Sequence, residues 1–177
     1  TVFNRGRSGG ELPDGVEHIV GDMSDEAAYR RLGQRRWDAV CQFLAFEPDT
    51  ARRDVEVFGG HCGQYVFISS ASAYRKPPTT HRITEDIPVA NPFWPYSQKK
   101  ADMEALLLEA HGDERLPVTI VRPSHTYRRK FPGTFISGDQ IAARMMHGKP
   151  VIVHGDGQSL WVLTHADDFA AAFVRLL

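Results

Sequence analysis

Apolar and polar positions divide the chain into short apolar runs separated by helical stretches. Thr1–Phe3 and Val16–Val20 read as strands, closed by the turns Asn4-Arg5-Gly6-Arg7 and Gly21-Asp22. Ser24 is the expected N-cap of a helix over Asp25–Leu32. The mostly apolar run Asp38–Ala45 predicts a strand buried on both faces, followed by a helix from about Thr50 to Phe58 that stops at Gly59-Gly60. Gln64–Ile68 predicts the next strand, ending in Ser69-Ser70-Ala71-Ser72-Ala73-Tyr74. A long loop rich in Pro, Thr and charge spans Arg75 to Pro95, of the sort that covers a site. Helical spacing resumes at Pro95-Tyr96 and ends near His111-Gly112, and Leu116–Val121 predicts another buried strand. A helix over about Gly138–His147, a short strand Val151–Val153, a Gly-Asp-Gly turn and a last helix from Ala166 complete the pattern.

Strands that alternate with helices, and that are apolar rather than alternating, predict an α/β fold with a doubly wound parallel sheet. Ligands bind such sheets at the carboxyl ends of the strands. Polar or small residues recur at those ends: Asn4-Arg5, Asp22, Leu44-Ala45, Ser69-Ser70 and Ser124-His125.

Composition narrows the class without naming a chemistry. The 177 residues are 42% hydrophobic and 24% charged, with 21 basic and 22 acidic residues, enough for one real core. The formal net charge of -1 gives no whole-chain reason to expect nucleic acid, although Arg52-Arg53 and Arg128-Arg129 could form local basic patches. No apolar run approaches the ~20 residues of a membrane span. The two cysteines, Cys41 and Cys62, read as one strand and one loop residue with no metal spacing, which suits a reducing cytoplasm. The eight His residues have no paired spacing, so no metal is expected. The chain opens on a strand-like segment without a Met and reads as a fragment whose natural beginning is absent.

The sharpest candidate chemistry lies at Tyr96 and Lys100. Four residues apart on a helix, they share one face with Met103 and Leu107, so a phenol and an ammonium extend an apolar stripe. A neighbouring ammonium favours the phenolate and makes the phenol a usable acid/base at a hydroxyl or carbonyl. Read together, Ile68-Ser69-Ser70-Ala71-Ser72-Ala73-Tyr74, Tyr96-x-x-x-Lys100, Val121-Arg122-Pro123-Ser124, Gly21-Asp22-Met23-Ser24-Asp25 and His154-Gly155-Asp156-Gly157 resemble the extended short-chain dehydrogenase/reductase superfamily. Within it the chain is most similar to the NAD-dependent epimerase/dehydratase (nucleotide-sugar) branch. The resemblance covers essentially the whole chain. It places Thr1 at the family's second strand, with the first strand and Gly-rich phosphate turn missing and the substrate lobe cut off at Leu177.

The resemblance implies a Rossmann-like dinucleotide-binding domain over residues 1–130 and the start of a small substrate lobe with a returning helix over 131–177. It implies Tyr96 as acid/base, Lys100 as its electrostatic partner and ribose ligand, and Ser70 as the hydroxyl that stabilises the reacting oxygen. Asp22 and Met23 would flank the adenine, and Phe43, Leu44 and Ala45 would line the cofactor with backbone. Pro123 and Ser124 would lie near the nicotinamide, with His125 facing a small-molecule substrate. The end of the second strand discriminates cofactors, because an acidic residue there binds a ribose 2′-OH and an Arg accommodates a 2′-phosphate. Asn4 followed by Arg5 and Arg7 favours NADP(H) over NAD(H).

Three positions depart from the family pattern. Arg75 stands where a Gly follows the Tyr, and Trp161 and Val162 replace the Arg that grips a nucleotide-sugar diphosphate and its following Asp. Trp161 itself reads as packing. The expected protein is an NAD(P)-dependent oxidoreductase, epimerase or dehydratase, and the missing clamp leaves its substrate open. The alternative is a relative that binds NADP(H) without turnover, as a redox sensor or RNA-binding protein. A cytoplasmic location and a homodimer are compatible with the resemblance, and a membrane association is not expected.

Overall fold

The computed structural model describes residues 1–7, 10–130, 132–133, 137–158 and 160–177. Its elements are β1 (Val2–Asn4), β2 (His18–Val20), α1 (Glu26–Arg30), β3 (Trp37–Gln42), α2 (Pro48–Phe58), β4 (Cys62–Ile68), α3 (Pro95–Gly112), β5 (Val118–Val121), β6 (His125–Tyr127), α4 (Gly138–Met146), β7 (Leu163–His165) and α5 (Ala166–Val174). Every ladder between these strands is parallel; α2, α3 and α4 cross over between β3 and β4, β4 and β5, and β6 and β7, whereas a loop without a helix joins β1 to β2. The expected α/β class is what the chain adopts.

The sheet, however, is not continuous. It consists of β1-β2, β3-β4-β5 and β6-β7, with no ladder between β1 and β3. An aromatic chain joins the first pair to the rest. Phe3 packs edge-on against Tyr29 of α1 at 5.8 Å, Tyr29 against Phe58 at 6.0 Å, and Phe58 against Tyr65 of β4 at 6.2 Å. These rings, with Met103, Leu107 and Ala110 of α3 and Leu116, form the core between α1, α2, α3 and the central sheet.

Several local expectations change. The cap of α1 is Asp25, whose carboxylate accepts the Ala28 N–H at 3.0 Å, because Ser24 is drawn back onto Asp22. α1 gives way to a 3-10 turn at Arg31–Gln34. β3 stops at Gln42, three residues short of the predicted end, since the Gln42 side chain captures the Leu44 N–H at 2.8 Å. Cys62 opens β4, so both cysteines are strand residues, and both are free thiols. Val151–Val153 is not a strand. The short pair near the end is instead β6 with β7, which straddles the expected division at residue 130. The loop after Tyr74 is tied down by the Asn91 amide, which donates to the Ser72 carbonyl at 2.8 Å. Among the described residues no helix is long and apolar enough to cross a membrane.

Candidate active site

The site is built where β3, β4 and β5 end and α3 begins. Pro95 at the first turn suits a helix start, since its missing N–H would find no partner there anyway. The buried residues of α3 are Ser97, Lys100, Met103, Glu104, Leu107 and Ala110. That helical stripe is polar at the strand-end half and apolar beyond it.

Lys100 is 2% exposed. Its ammonium donates to the Ala45 carbonyl and to the Ile68 carbonyl, each at 2.8 Å, so it ties α3 to the ends of β3 and β4. The rings of Phe67 and Tyr96 lie 4.8 and 5.8 Å from it. Burial lowers its pKa to about 8, against the pull of the Glu104 carboxylate in the other direction. Tyr96 is half-buried beside it, packed on the Trp94 ring at 4.8 Å.

Ser70 reaches the same turn through other hydroxyls. Its Oγ caps the 3-10 turn Ala71–Ala73, accepting the Ser72 N–H at 3.2 Å, and shares a 2.8 Å hydrogen bond with Ser72 Oγ. Ser97 Oγ donates to Ser72 Oγ at 2.8 Å. Ser97 is fully buried and adjoins Tyr96 in the chain, so three hydroxyls connect Ser70 to the residue beside the phenol.

A second network braces this arrangement. Ser69 Oγ donates to the buried Glu104 carboxylate. Arg122 grips Glu104 with Nε at 2.9 Å and Nη2 at 2.6 Å, and its Nη1 donates to Tyr74 Oη at 3.1 Å. Paired carboxylate and hydroxyl raise the Arg122 pKa, holding it charged. The Pro123 carbonyl then accepts the Ala71 N–H at 2.9 Å, fixing the exit of β5 against the Ser70 turn. Ser124 Oγ bonds Thr164 of β7 at 2.7 Å.

The remaining expected residues lie at the ends of their strands. Phe43 and Leu44 are about half exposed beyond β3, Ala45 is buried, and Phe43 packs on Phe173 of α5 at 5.6 Å. Asn4 ends β1 with its amide oxygen accepting the Gly6 N–H at 2.7 Å and facing His18 Nε2 at 3.0 Å. Arg5 lies 3.9 Å from Asp22. Asp22 accepts the Ser24 N–H and hydroxyl at 2.9 and 2.8 Å, bonds that lower its pKa. The Met23 carbonyl accepts from Arg53 of α2 at 2.7 Å. His125 packs edge-on against Trp161 at 6.2 Å.

The sequence model of the NAD dependent epimerase/dehydratase family matches residues 1–177. The chain belongs to that family. A 2'-dehydrokanamycin reductase of Streptomyces kanamyceticus is 30% identical over 179 residues, covering 99% of this chain and 50% of the relative. Among solved structures, Thermus thermophilus UDP-glucose 4-epimerase in complex with NAD superposes with a TM-score of 0.74 at 20% identity, over 99% of this chain and 65% of that one. Thermotoga maritima UDP-glucose 4-epimerase with UDP-glucose gives 0.75 at 20% identity, over 98% and 64%. The chain thus spans half the length of the reductase and under two thirds of the epimerases. At these identities the two epimerases establish the shared fold alone.

Within the family frame, the sequence reading did not single out Ser72, Ser97, Glu104 or Gln42. Ser97 and Glu104 lie on the Lys100 face at helical spacing, which is the only sequence signal for them. Gln42 has none. Its amide bonds the fully buried Asp54 at 2.8 Å, and Tyr29 and Tyr65 donate to the same carboxylate at 2.7 and 2.5 Å. Gln42 therefore links a buried polar cluster to the Leu44 backbone that is expected to face the cofactor.

Proposed function

We propose that this chain carries the acid/base centre of an NADP(H)-dependent oxidoreductase acting at a carbinol or carbonyl carbon of a sugar-like substrate, with Tyr96, Lys100 and Ser70 in the roles the sequence suggests. The observation that carries it is the buried Lys100 beside Tyr96, with Ser70 tied through Ser72 to Ser97, the next residue of α3 after Tyr96. Tyr96 holds or delivers the proton of the substrate oxygen, and Ser70 donates to that oxygen as charge develops on it. Lys100 supplies a fixed positive charge that keeps Tyr96 poised. Residues 1–130 would hold the dinucleotide, and 131–177 would begin the substrate lobe.

The donor set suits a nicotinamide dinucleotide. Lys100 spends two of its three N–H groups on the Ala45 and Ile68 carbonyls, which leaves one for a ribose hydroxyl. Asn4, Arg5, Asp22 and Met23 would hold the adenosine end, Phe43 to Ala45 the middle, and Pro123 and Ser124 the nicotinamide end. When bound, the nicotinamide supplies the redox step at the carbon bearing the substrate oxygen. The Asn4 amide oxygen already serves two neighbours, whereas Arg7 has no ion pair among the described residues, and this supports a 2′-phosphate over a free 2′-OH.

Assaying reduction of a panel of keto-sugars by NADPH tests the reading. Tyr96→Phe should lower turnover about 10²–10⁴-fold while NADPH affinity, read by nucleotide fluorescence, changes less than twofold. Full activity in Tyr96→Phe would refute the assignment. A protein that only bound the dinucleotide would have no use for the hydroxyl chain, and would show NADPH binding with no turnover on any substrate.

A further inference from the structure

Helix α2 carries a carboxylate where its inward neighbours are apolar. Asp54 shares the buried face of α2 with Ala51, Val57 and Phe58 and is 0% exposed. Burial raises its pKa, opposed by the hydroxyls of Tyr65 and Tyr29, the Gln42 amide and the Arg53 charge. A packed apolar cluster is often as stable as a buried charged network, so what this network reaches at its edges sets it apart. It has two exits, and both end on backbone expected to line the dinucleotide.

The first exit is Gln42, the last residue of β3. Its Nε2 donates to Asp54 at 2.8 Å and to Tyr29 Oη at 3.1 Å. An ionised carboxylate only accepts, so Asp54 fixes which way the amide faces and turns Oε1 onto the Leu44 N–H at 2.8 Å. At the next residue the Ala45 carbonyl accepts from Lys100, also at 2.8 Å. The segment Phe43–Ala45 is therefore held at adjacent residues, once by the core cluster and once by Lys100.

The second exit is Arg53, next to Asp54 in α2. Its guanidinium lies 3.9 Å from the centre of the Tyr29 ring, whose hydroxyl donates to Asp54. Its Nη1 donates to the Met23 carbonyl at 2.7 Å and to Glu26 at 3.2 Å. Met23 belongs to the segment expected at the adenine. One turn of α2 thus reaches both the adenine end and the middle of the cofactor path.

The structure assigns Gln42 and Arg53 as positioning residues of the dinucleotide site: the buried Asp54 anchors two arms, through Arg53 to the adenine segment and through Gln42 to the backbone beside Lys100. This rests on the proposed cofactor reading and adds the residues that act on the cofactor through its lining backbone.

Nucleotide binding by the full chain, read by calorimetry without substrate, tests the assignment. The probes are NADPH with adenosine 2′,5′-bisphosphate, and NADH with AMP, so that a split is readable whichever dinucleotide is preferred. Gln42→Met should weaken the dinucleotide about three- to tenfold and leave its adenosine half within about twofold. Arg53→Met should weaken the dinucleotide and its adenosine half alike, and Arg53→Lys, which can still donate to Met23, should recover most of the loss. Hydrogen exchange at the Leu44 amide keeps the test independent of whether the variants fold. Leu44 is 54% exposed, yet its amide should exchange slowly in the parent before any nucleotide is added. Exchange that slows only when a dinucleotide is added overturns the assignment. So does a Gln42→Met protein that binds both ligands like the parent or loses both equally, since a purely structural role gives no split. An Arg53→Met protein unchanged for both ligands overturns it as well. A parent that binds no dinucleotide removes the cofactor reading and this assignment with it, whereas a parent that binds while the variants show no split removes this assignment alone.

Discussion

Lys100 shows how one side chain can be both a strut and an electrostatic group. A buried ammonium is costly unless it is hydrogen-bonded, and here two strand-end carbonyls and a ring of aromatic faces meet that need. Burial still favours the neutral amine, which brings its pKa down to about 8 from the ordinary lysine range. Between about pH 8 and ~10.4 the unfolded chain therefore binds more protons at this position than the folded one. Stability contributed by this group must rise with pH across that window and be lowest below it. Urea denaturation of the parent and Lys100→Met at pH 7.5 and 9.5 should show the parent gaining stability relative to the variant at the higher pH. An unchanged difference would mean that Lys100 titrates normally.

At the scale of an element, α3 shows how the candidate site is braced. Its inward stripe joins Ser97, Lys100 and Glu104 to Ser72, to two strand ends and to Arg122 in turn. Tyr96, Lys100, Met103 and Leu107 were legible in the sequence as one face. Ser97 and Glu104 occupy the same face, yet a Ser and a Glu in a helix ordinarily signal solvent, and only Ser72 and Arg122 across the interface reveal their burial. Removing one partner of a buried ion pair strands the other charge. Glu104→Ala should accordingly cost about 3–5 kcal/mol by chemical denaturation, and Glu104→Gln less, since it still accepts a hydrogen bond. The Asp54 cluster of α2 behaves similarly. Burial raises the Asp54 pKa, and Asp54→Ala would leave Tyr29, Tyr65 and Gln42 donors without an acceptor, a loss of at least ~3 kcal/mol.

For the whole molecule, the accessible surface of 12074 Å² exceeds the roughly 8,700 Å² expected of a compact monomer of this mass. Part of the excess is apolar and lies at strand ends, where Val20 is 68% exposed and Phe43 and Leu44 are about half exposed. A dinucleotide lying there would cover such surface and stabilise the fold by linkage, about 2.7 kcal/mol at a hundredfold excess over Kd. On the cofactor reading, saturating NADPH should raise Tm more than NADH does, and Arg5→Ala/Arg7→Ala should bring the two shifts together. Equal shifts in the parent would count against the 2′-phosphate preference.

By itself the sequence determined the parallel α/β alternation and the buried face of α3, because apolar periodicity reports which positions are buried and turn residues report where segments stop. It could not determine what a buried position touches. The break between β1 and β3, the Ser70–Ser72–Ser97 chain and the Gln42–Asp54 cluster are set by neighbours far apart in the chain. The same holds for β6 and β7, which are three residues each and too short to show a period. Their pairing brings His125 and Trp161 to one cavity, and so it was the tertiary structure that placed Trp161, read from the sequence as packing, half exposed in a cavity wall.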